Sequence, residues 1–419
     1  MFDRDFWTEI LDTLSANLLL TILTAFGVGW GVFMLTIMLG ASNGLKNGVY
    51  QEFSGRATNS MTVWTRSTTM PYDGLPAGRS FEMTLSDYEA VLNEVDNLGV
   101  LCPRSQVGGY RGSALVTYGK NEGTFKGYGD YPNIREVALF DMTNGRFLNQ
   151  HDLKENRKVV VIGKRIQEQL FEKDDDPVGK YINVQGMPFQ VIGVFKTRVE
   201  GEDARDAEET MYFPFTIFKQ SFNFGDRIGW LAMTAKPGVP VSKVGEQVKD
   251  IIRRRHRVNP EDDRSLGSWN MEEEFSDVSN LFLGITLLVW LVGTGTLLAG
   301  IIGVMNIMLI VVKERTKEFG VRRALGAKPW GIIGMVVTEA LVITLAAGMI
   351  GMVMGVGVVE LLNFVVNQSG GVDMFANPGV KMKVPLVAIS ILTFAGILAG
   401  LLPAFQAVSI KPVDALRSE

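Results

Sequence analysis

The distribution of apolar and charged positions separates the chain into two kinds of sequence. No residue is charged from Thr13 to Leu45, from Val278 to Val312 or from Val384 to Ile410, and the stretch from Pro329 to Val359 carries only Glu339. About 20 apolar residues cross the hydrocarbon core of a bilayer as a helix, and each of these runs is longer. Four membrane-spanning helices are therefore predicted, at 17–46, 278–312, 329–362 and 383–410. A large polar insert, 47–277, lies between the first and second, and a short loop, 363–382, between the third and fourth.

Inside the insert the pattern changes. "KVVVIGKRIQEQLF" (158–171) begins as an apolar strand and passes through Gly163 into a helix with Ile166 and Leu170 four apart. "KYINVQGMPFQVIGVF" (180–195) reads as two strands joined around Gly186, a hairpin. "VSKVGEQVKDIIRRRHR" (241–257) sets Val244, Val248, Ile251 and Ile252 on one helical face, and its basic end suits the helix dipole. The fold class is thus an α-helical membrane protein with a large α+β domain. Gly- and Pro-rich connections suggest small α+β subdomains rather than a single large sheet.

Charge adds orientation. Between the second and third apolar runs Lys313, Arg315, Lys317, Arg322, Arg323 and Lys328 face only Glu314 and Glu318. Short loops rich in Lys and Arg stay in the cytoplasm, so the termini are expected inside and residues 47–277 outside. The N-terminal segment opposes this weakly, with Asp3, Asp5, Glu9 and Asp12 against Arg4. Its Phe2, Phe6, Ile10 and Leu14 recur every four residues, which suits a helix lying in the interface over 1–16. A cytoplasmic tail is expected at 411–419. Glu339 should sit near the cytoplasmic interface as a polar contact that orients its helix.

Candidate chemistry is sparse. Cys102 is the chain's single cysteine, so neither an intrachain disulfide nor a multi-thiolate metal site can form. His151 and His256 stand far apart and read as surface or structural residues. HExxH, CxxC and G-x-S-x-G do not occur, and "DPVGKY" offers Gly179 and Lys180 but puts Asp174 where a phosphate loop begins with Gly. No catalytic residue, metal or cofactor is expected on this chain, and no nucleic-acid partner. The acidic runs at 172–177 and 200–209 have calcium-type ligands but read as solvated loops, and the basic "RRRHR" at 253–257 reads as a solvated helix end.

In the charged segment Arg315, Glu318 and Arg322 share one helix face. Gly326 can end that helix and Pro329 start the next. The stretch "GVMNIMLIVVKERTKEFGVRRALGAKPWGII" resembles the signature of the MacB and FtsX family of ABC-transporter permeases. "NGRFLNQHDL", "VVVIGKRIQEQLF", "DPVGKYINVQGMPFQVIGVF", "RRRHRVNPEDD" and "PAFQAVSIKPVDALR" resemble successive blocks of the MacB-type permease, in order.

The resemblance implies a MacB-like periplasmic domain, porter-like at 47–117 and 217–277 and Sabre-like at 118–216. It implies that 313–328 is the coupling helix, with Glu314, Arg315, Glu318, Phe319, Gly320, Arg322, Arg323, Ala324 and Gly326 forming the ATPase-coupling site. The ATPase, which binds ATP and magnesium, is expected as a separate cytoplasmic subunit. A second permease copy or paralogue, a periplasmic adaptor and a TolC-like outer-membrane channel complete the implied assembly. The second membrane helix would continue outward as a rigid stalk, and cargo would be exported from the periplasm. Lipoprotein release, or activation of a periplasmic cell-wall hydrolase, are the alternatives. Charge reversal at Arg322 and Arg323 is expected to lower ATPase association.

Overall fold

The computed structural model describes residues 18–173, 175–199, 202–368, 375–380 and 383–409. The expected interfacial helix at 1–16 and the tail at 411–419 lie outside the described residues. The chain divides into two compact units, Val49–Asn280 and the remainder.

In chain order, α1 (Leu18–Glu52) leads to β1 (Ser60–Thr65), β2 (Met83–Thr84), α2 (Leu85–Glu94) and β3 (Leu98–Gln106). Next come β4 (Ala114–Tyr118), β5 (Asn121–Asp130), β6 (Phe140–Gly145), α3 (Gln150–Lys154), β7 (Val159–Gly163) and α4 (Lys164–Leu170). They are followed by β8 (Tyr181–Val184), β9 (Met187–Thr197), α5 (Glu202–Glu208), β10 (Thr210–Pro214), α6 (Phe215–Ser221) and β11 (Arg227–Ile228). Then β12 (Trp230–Ala235), α7 (Val241–Arg255) and β13 (Leu266–Asn270) precede α8 (Met271–Glu314), α9 (Thr316–Ala324), α10 (Pro329–Gln368) and α11 (Lys383–Ser409).

Within Val49–Asn280, strands β3, β12, β1 and β13 lie side by side and antiparallel. α2 and α7 cover this sheet over a core that includes Val63, Val91, Leu231, Val248 and Ile252. The predicted face of α7 is thus the buried one. Between β3 and β12 the chain builds a second body. Strands β5, β4, β8, β9, β7 and β10 are hydrogen-bonded in that order, and β10 pairs back onto β5, which closes a six-stranded barrel. Closure removes both sheet edges, and the interior is filled by Phe125, Ile162, Ile166, Phe189, Phe213 and Phe218. All five residues of β7 are buried, as its apolar run requires. The β8–β9 hairpin turns at Gln185 and Gly186, both at positive φ (49° and 82°), the geometry a two-residue turn needs.

Two sequence expectations are corrected here. The strands do not form separate small sheets. β3 pairs with β12 along most of its length and then, through Ser105 and Gln106, with β5, so one hydrogen-bonded path joins ten strands, with β6 added on β9, and only the short β2 and β11 pair apart. The "RRRHR" run is not a solvated helix end. Arg253 is buried against Asp250 and Asp263 (3.0 and 2.9 Å), Arg254 reaches Glu94, and Arg255 and His256 both bind Asp87 (2.7 and 2.9 Å). His151, by contrast, is exposed beside Glu155.

Asp87 is the node of this latch. It is buried and also accepts the Thr84 N–H at the start of α2. Burial opposes its ionisation, but the bonds from His256, Arg255 and Thr84 outweigh burial and hold its carboxyl below the usual range. A depressed acid stabilises the fold above its unfolded pKa, about 3.9, and that contribution fades as pH falls below it. Asp87→Asn is expected to cost about 1.5 kcal/mol. Faster amide exchange at 84–87 and 255–258 should report it from pH 7 down to about 4, with the difference from wild type shrinking in more acid. An unchanged exchange pattern would rule out the latch.

In the other unit, α1 and α8, α10 and α11 are long and apolar enough to cross a membrane. Leu283, Leu287, Leu291, Leu298 and Ile302 of α8 are exposed, as a lipid-facing surface should be. Glycines set the helix crossings. Gly351 of α10 lies against the Gly29 carbonyl of α1, Gly300 of α8 against Val28, and Gly400 of α11 against Val337. Small residues let backbones approach where lipid supplies no hydrophobic drive between helices.

Candidate functional site

The charged segment folds as a short helix with defined ends. α8 stops at Glu314, and Arg315, at φ −91° and ψ 15°, breaks it from α9. At the other end Gly326 takes φ 93°, its N–H donates to the Arg323 carbonyl, and the Ala327 N–H to the Arg322 carbonyl. These two bonds form a Schellman cap, which favours Gly at that position. Pro329 then opens α10, where its missing N–H costs nothing.

Ion pairs hold α9 in place. The Arg315 guanidinium binds both Glu318 oxygens (2.8 and 2.9 Å) and reaches Glu339 on α10 at 3.3 Å. Glu318 also accepts from Arg322 at 3.0 Å, and Arg322 contacts the Met335 sulfur. Arg323 donates to the Val408 carbonyl near the end of α11. Phe319 is 1% exposed, packed in the membrane-unit core beneath the Arg315 guanidinium. Gly320 is buried beside it.

The residues expected at the coupling site thus fall into two groups. Arg315, Glu318, Phe319, Gly320, Arg322 and Arg323 are engaged with one another or with α10 and α11, Arg315 through Glu339, the residue expected as a separate polar contact. Glu314, Ala324 and Gly326 are exposed. Sequence reasoning did not single out Trp330. Val321, Leu325 (84% exposed) and Trp330 (76%) are exposed, as are Lys317 and Lys328. The missed signal is a large aromatic directly after the helix-starting proline. Among the described residues no group of His, Cys, Asp or Glu is arranged to hold a metal.

Four membrane helices, a clamped charged helix between the second and third, and a large α+β domain inserted between the first and second together define a transporter permease. Comparison with known proteins makes the class specific. Residues 21–251 match the MacB-like periplasmic core domain, and residues 290–412 the FtsX-like permease C-terminal region. The chain is 31% identical over 300 residues to the uncharacterized ABC transporter permease YvrN of Bacillus subtilis, covering 69% of this chain and 71% of that one. It is 30% identical over 415 residues to the macrolide export ATP-binding/permease protein MacB of Wolinella succinogenes, covering 97% of this chain. To the pyoverdine export ATP-binding/permease protein PvdT of Pseudomonas savastanoi it is 26% identical over 420 residues, covering 98% of this chain. It spans 60% of the length of each of the latter two relatives. The crystal structure of the periplasmic region of MacB from Actinobacillus actinomycetemcomitans aligns with a TM-score of 0.42 at 18% identity, over 54% of this chain and 95% of that one.

The chain belongs to the MacB/FtsX family of ABC-transporter permeases. It is a multi-pass inner-membrane protein with a periplasmic domain.

Proposed function

We propose that this chain is the permease of an exporter in which α9 is the coupling helix, receiving the motion of a cytoplasmic ABC ATPase. One observation carries the reading. A helix capped at its C-terminal end and clamped by Arg315, Glu318, Glu339 and Arg323 leads into a turn where Leu325 and, at the start of α10, Trp330 are exposed. Large exposed apolar residues rimmed by charge mark a partner surface. A clamped helix also passes a push to α10 and α11 instead of absorbing it. α8, 44 residues without a break, is about 66 Å long at 1.5 Å per residue, more than a bilayer core needs. Two permeases, identical or paralogous, would pair with two ATPases. Cargo would pass from the periplasm through an adaptor and a TolC-like outer-membrane channel, as the export named for the MacB and PvdT relatives suggests.

The test separates docking from folding. Lys317→Glu with Leu325→Asp alters only exposed positions and is expected to lower co-purification of the ATPase at least tenfold, about 1.4 kcal/mol, with thermal stability unchanged. Full retention of the ATPase would refute α9 as the docking surface. Reversal at Arg322 and Arg323 should also lower association, but it breaks the bonds to Glu318 and Val408 as well. Chains co-purifying from native membranes then test the cargo reading: an adaptor and outer-membrane channel support export. A lipoprotein chaperone or a cell-wall hydrolase in their place would overturn it.

A further inference from the structure

Within Val49–Asn280 a recess of about 490 Å³ opens to solvent. That is the size of a site for a drug-sized ligand. Its walls come from the end of α1, β5, β9, α5, β10 and the start of α8. Two arginines from distant parts of the chain line it. The Arg104 guanidinium sits over the Tyr128 ring, 3.9 Å from its centroid, and is backed by the fully buried Asp130 at 3.1 Å. The Arg56 guanidinium sits over the Trp269 indole at 4.1 Å.

The carboxylates lining the recess do not pair with Arg56. Asp206 is held by Lys126 at 2.9 Å, and Glu274 accepts the Trp269 indole N–H at 2.5 Å. Among the described residues Arg56 makes no ion pair. Burial and the neighbouring Arg104 charge disfavour its protonated form and outweigh the opposite pull of Tyr212, Tyr128 and the Glu274 carboxylate. A second positive charge brought beside the first, on a rigid aromatic plane and without a carboxylate partner, calls for an anion to complete it.

We propose that this recess binds an organic anion with an apolar body, its carboxylate or phosphate set between Arg56 and Arg104 and its apolar part against Phe53 and Trp269. A guanidinium packed over a ring is restrained, and its rigid fork of donors suits a planar or tetrahedral oxyanion better than a mobile ammonium would. The ligand touches Phe53, just past α1, and Met271 and Glu274 in the first turn of α8. Occupancy is therefore registered at the roots of two membrane helices. The inference does not depend on α9 docking an ATPase.

The experiment uses the full chain in nanodiscs of neutral phosphatidylcholine, titrated calorimetrically with octyl phosphate and with octyltrimethylammonium. Octyl phosphate should bind, more weakly as salt rises, and the cation should not. Arg56→Gln should weaken octyl phosphate at least tenfold. Ala207→Trp, which fills the recess and leaves both arginines in place, should abolish binding. Equal binding of the two amphiphiles, or unchanged affinity in both variants, overturns the proposal. Repeating the titration with phosphatidic acid in the disc identifies the natural source. Competition assigns the site to a lipid headgroup, and its absence to a soluble anion; either result supports an anion site.

Discussion

Arg315→Ala is expected to destabilise the membrane unit by about 3–5 kcal/mol, the cost of breaking a buried ion pair by removing one of its members. Glu339 is 3% exposed, and Arg315 is the cation that reaches it across from α9. The same guanidinium binds both oxygens of Glu318, so its loss also releases the α9 end of the network. Replacing both partners, Arg315→Leu with Glu339→Leu, should cost much less than the single change, because the buried pair is then replaced by apolar side chains instead of being broken. The thermal unfolding of the two variants and of Glu339→Leu alone, in detergent, completes a double-mutant cycle. Additive costs would mean that the pair does not act as a unit. The consequence reaches function, since a helix freed from α10 cannot deliver a push to it even with its exposed face intact.

What the sequence discloses here is what short-range physics controls. Charge-free runs mark the membrane helices because the bilayer penalises every ionised group within them. Gly326 and Pro329 mark the ends of α9 because each acts on its own backbone. The faces of α4 and α7 follow from spacing alone, as does the turn at Gly186. The unread parts depend on partners distant in sequence. Barrel closure rests on β10 pairing with β5, where Tyr212 stands beside Tyr128. Nothing local in either strand specifies the other. The basic run at 253–257 reads as solvated until Asp87, Glu94 and Asp263 are brought to it. Arg56 and Arg104 acquire a common role only through the fold. Phe319 is the intermediate case. Its place beside three charged residues suggests a surface position, yet a short helix lying on a membrane unit must bury one face, and the aromatic takes it.

The glycines of α10 offer the sharpest test of the membrane packing. A Cβ built on Gly351 would lie 2.1 Å from the Gly29 carbonyl oxygen and 3.0 Å from the Gly29 Cα. Those are backbone atoms of α1, so no side chain can rotate out of the way and the two helices must separate. The same close approach recurs nearby, where a Cβ on Gly29 would meet the Ala347 carbonyl and one on Gly355 would meet Thr36, so separation at 351 disturbs the whole crossing. Gly351→Leu is expected to cost about 3 kcal/mol or more, the upper range for overpacking, and Gly351→Ala somewhat less. Gly357, six residues on in the same helix, has nothing within 4 Å of its Cβ position. Gly357→Ala should therefore be neutral or stabilise by up to about 1 kcal/mol through helix propensity. Melting curves of the three variants decide the matter. Equal effects at 351 and 357 would show that propensity governs both sites and that the α1–α10 crossing is looser than its geometry indicates. A selective loss at 351 would tie the close approach of these helices to the one residue type that permits it.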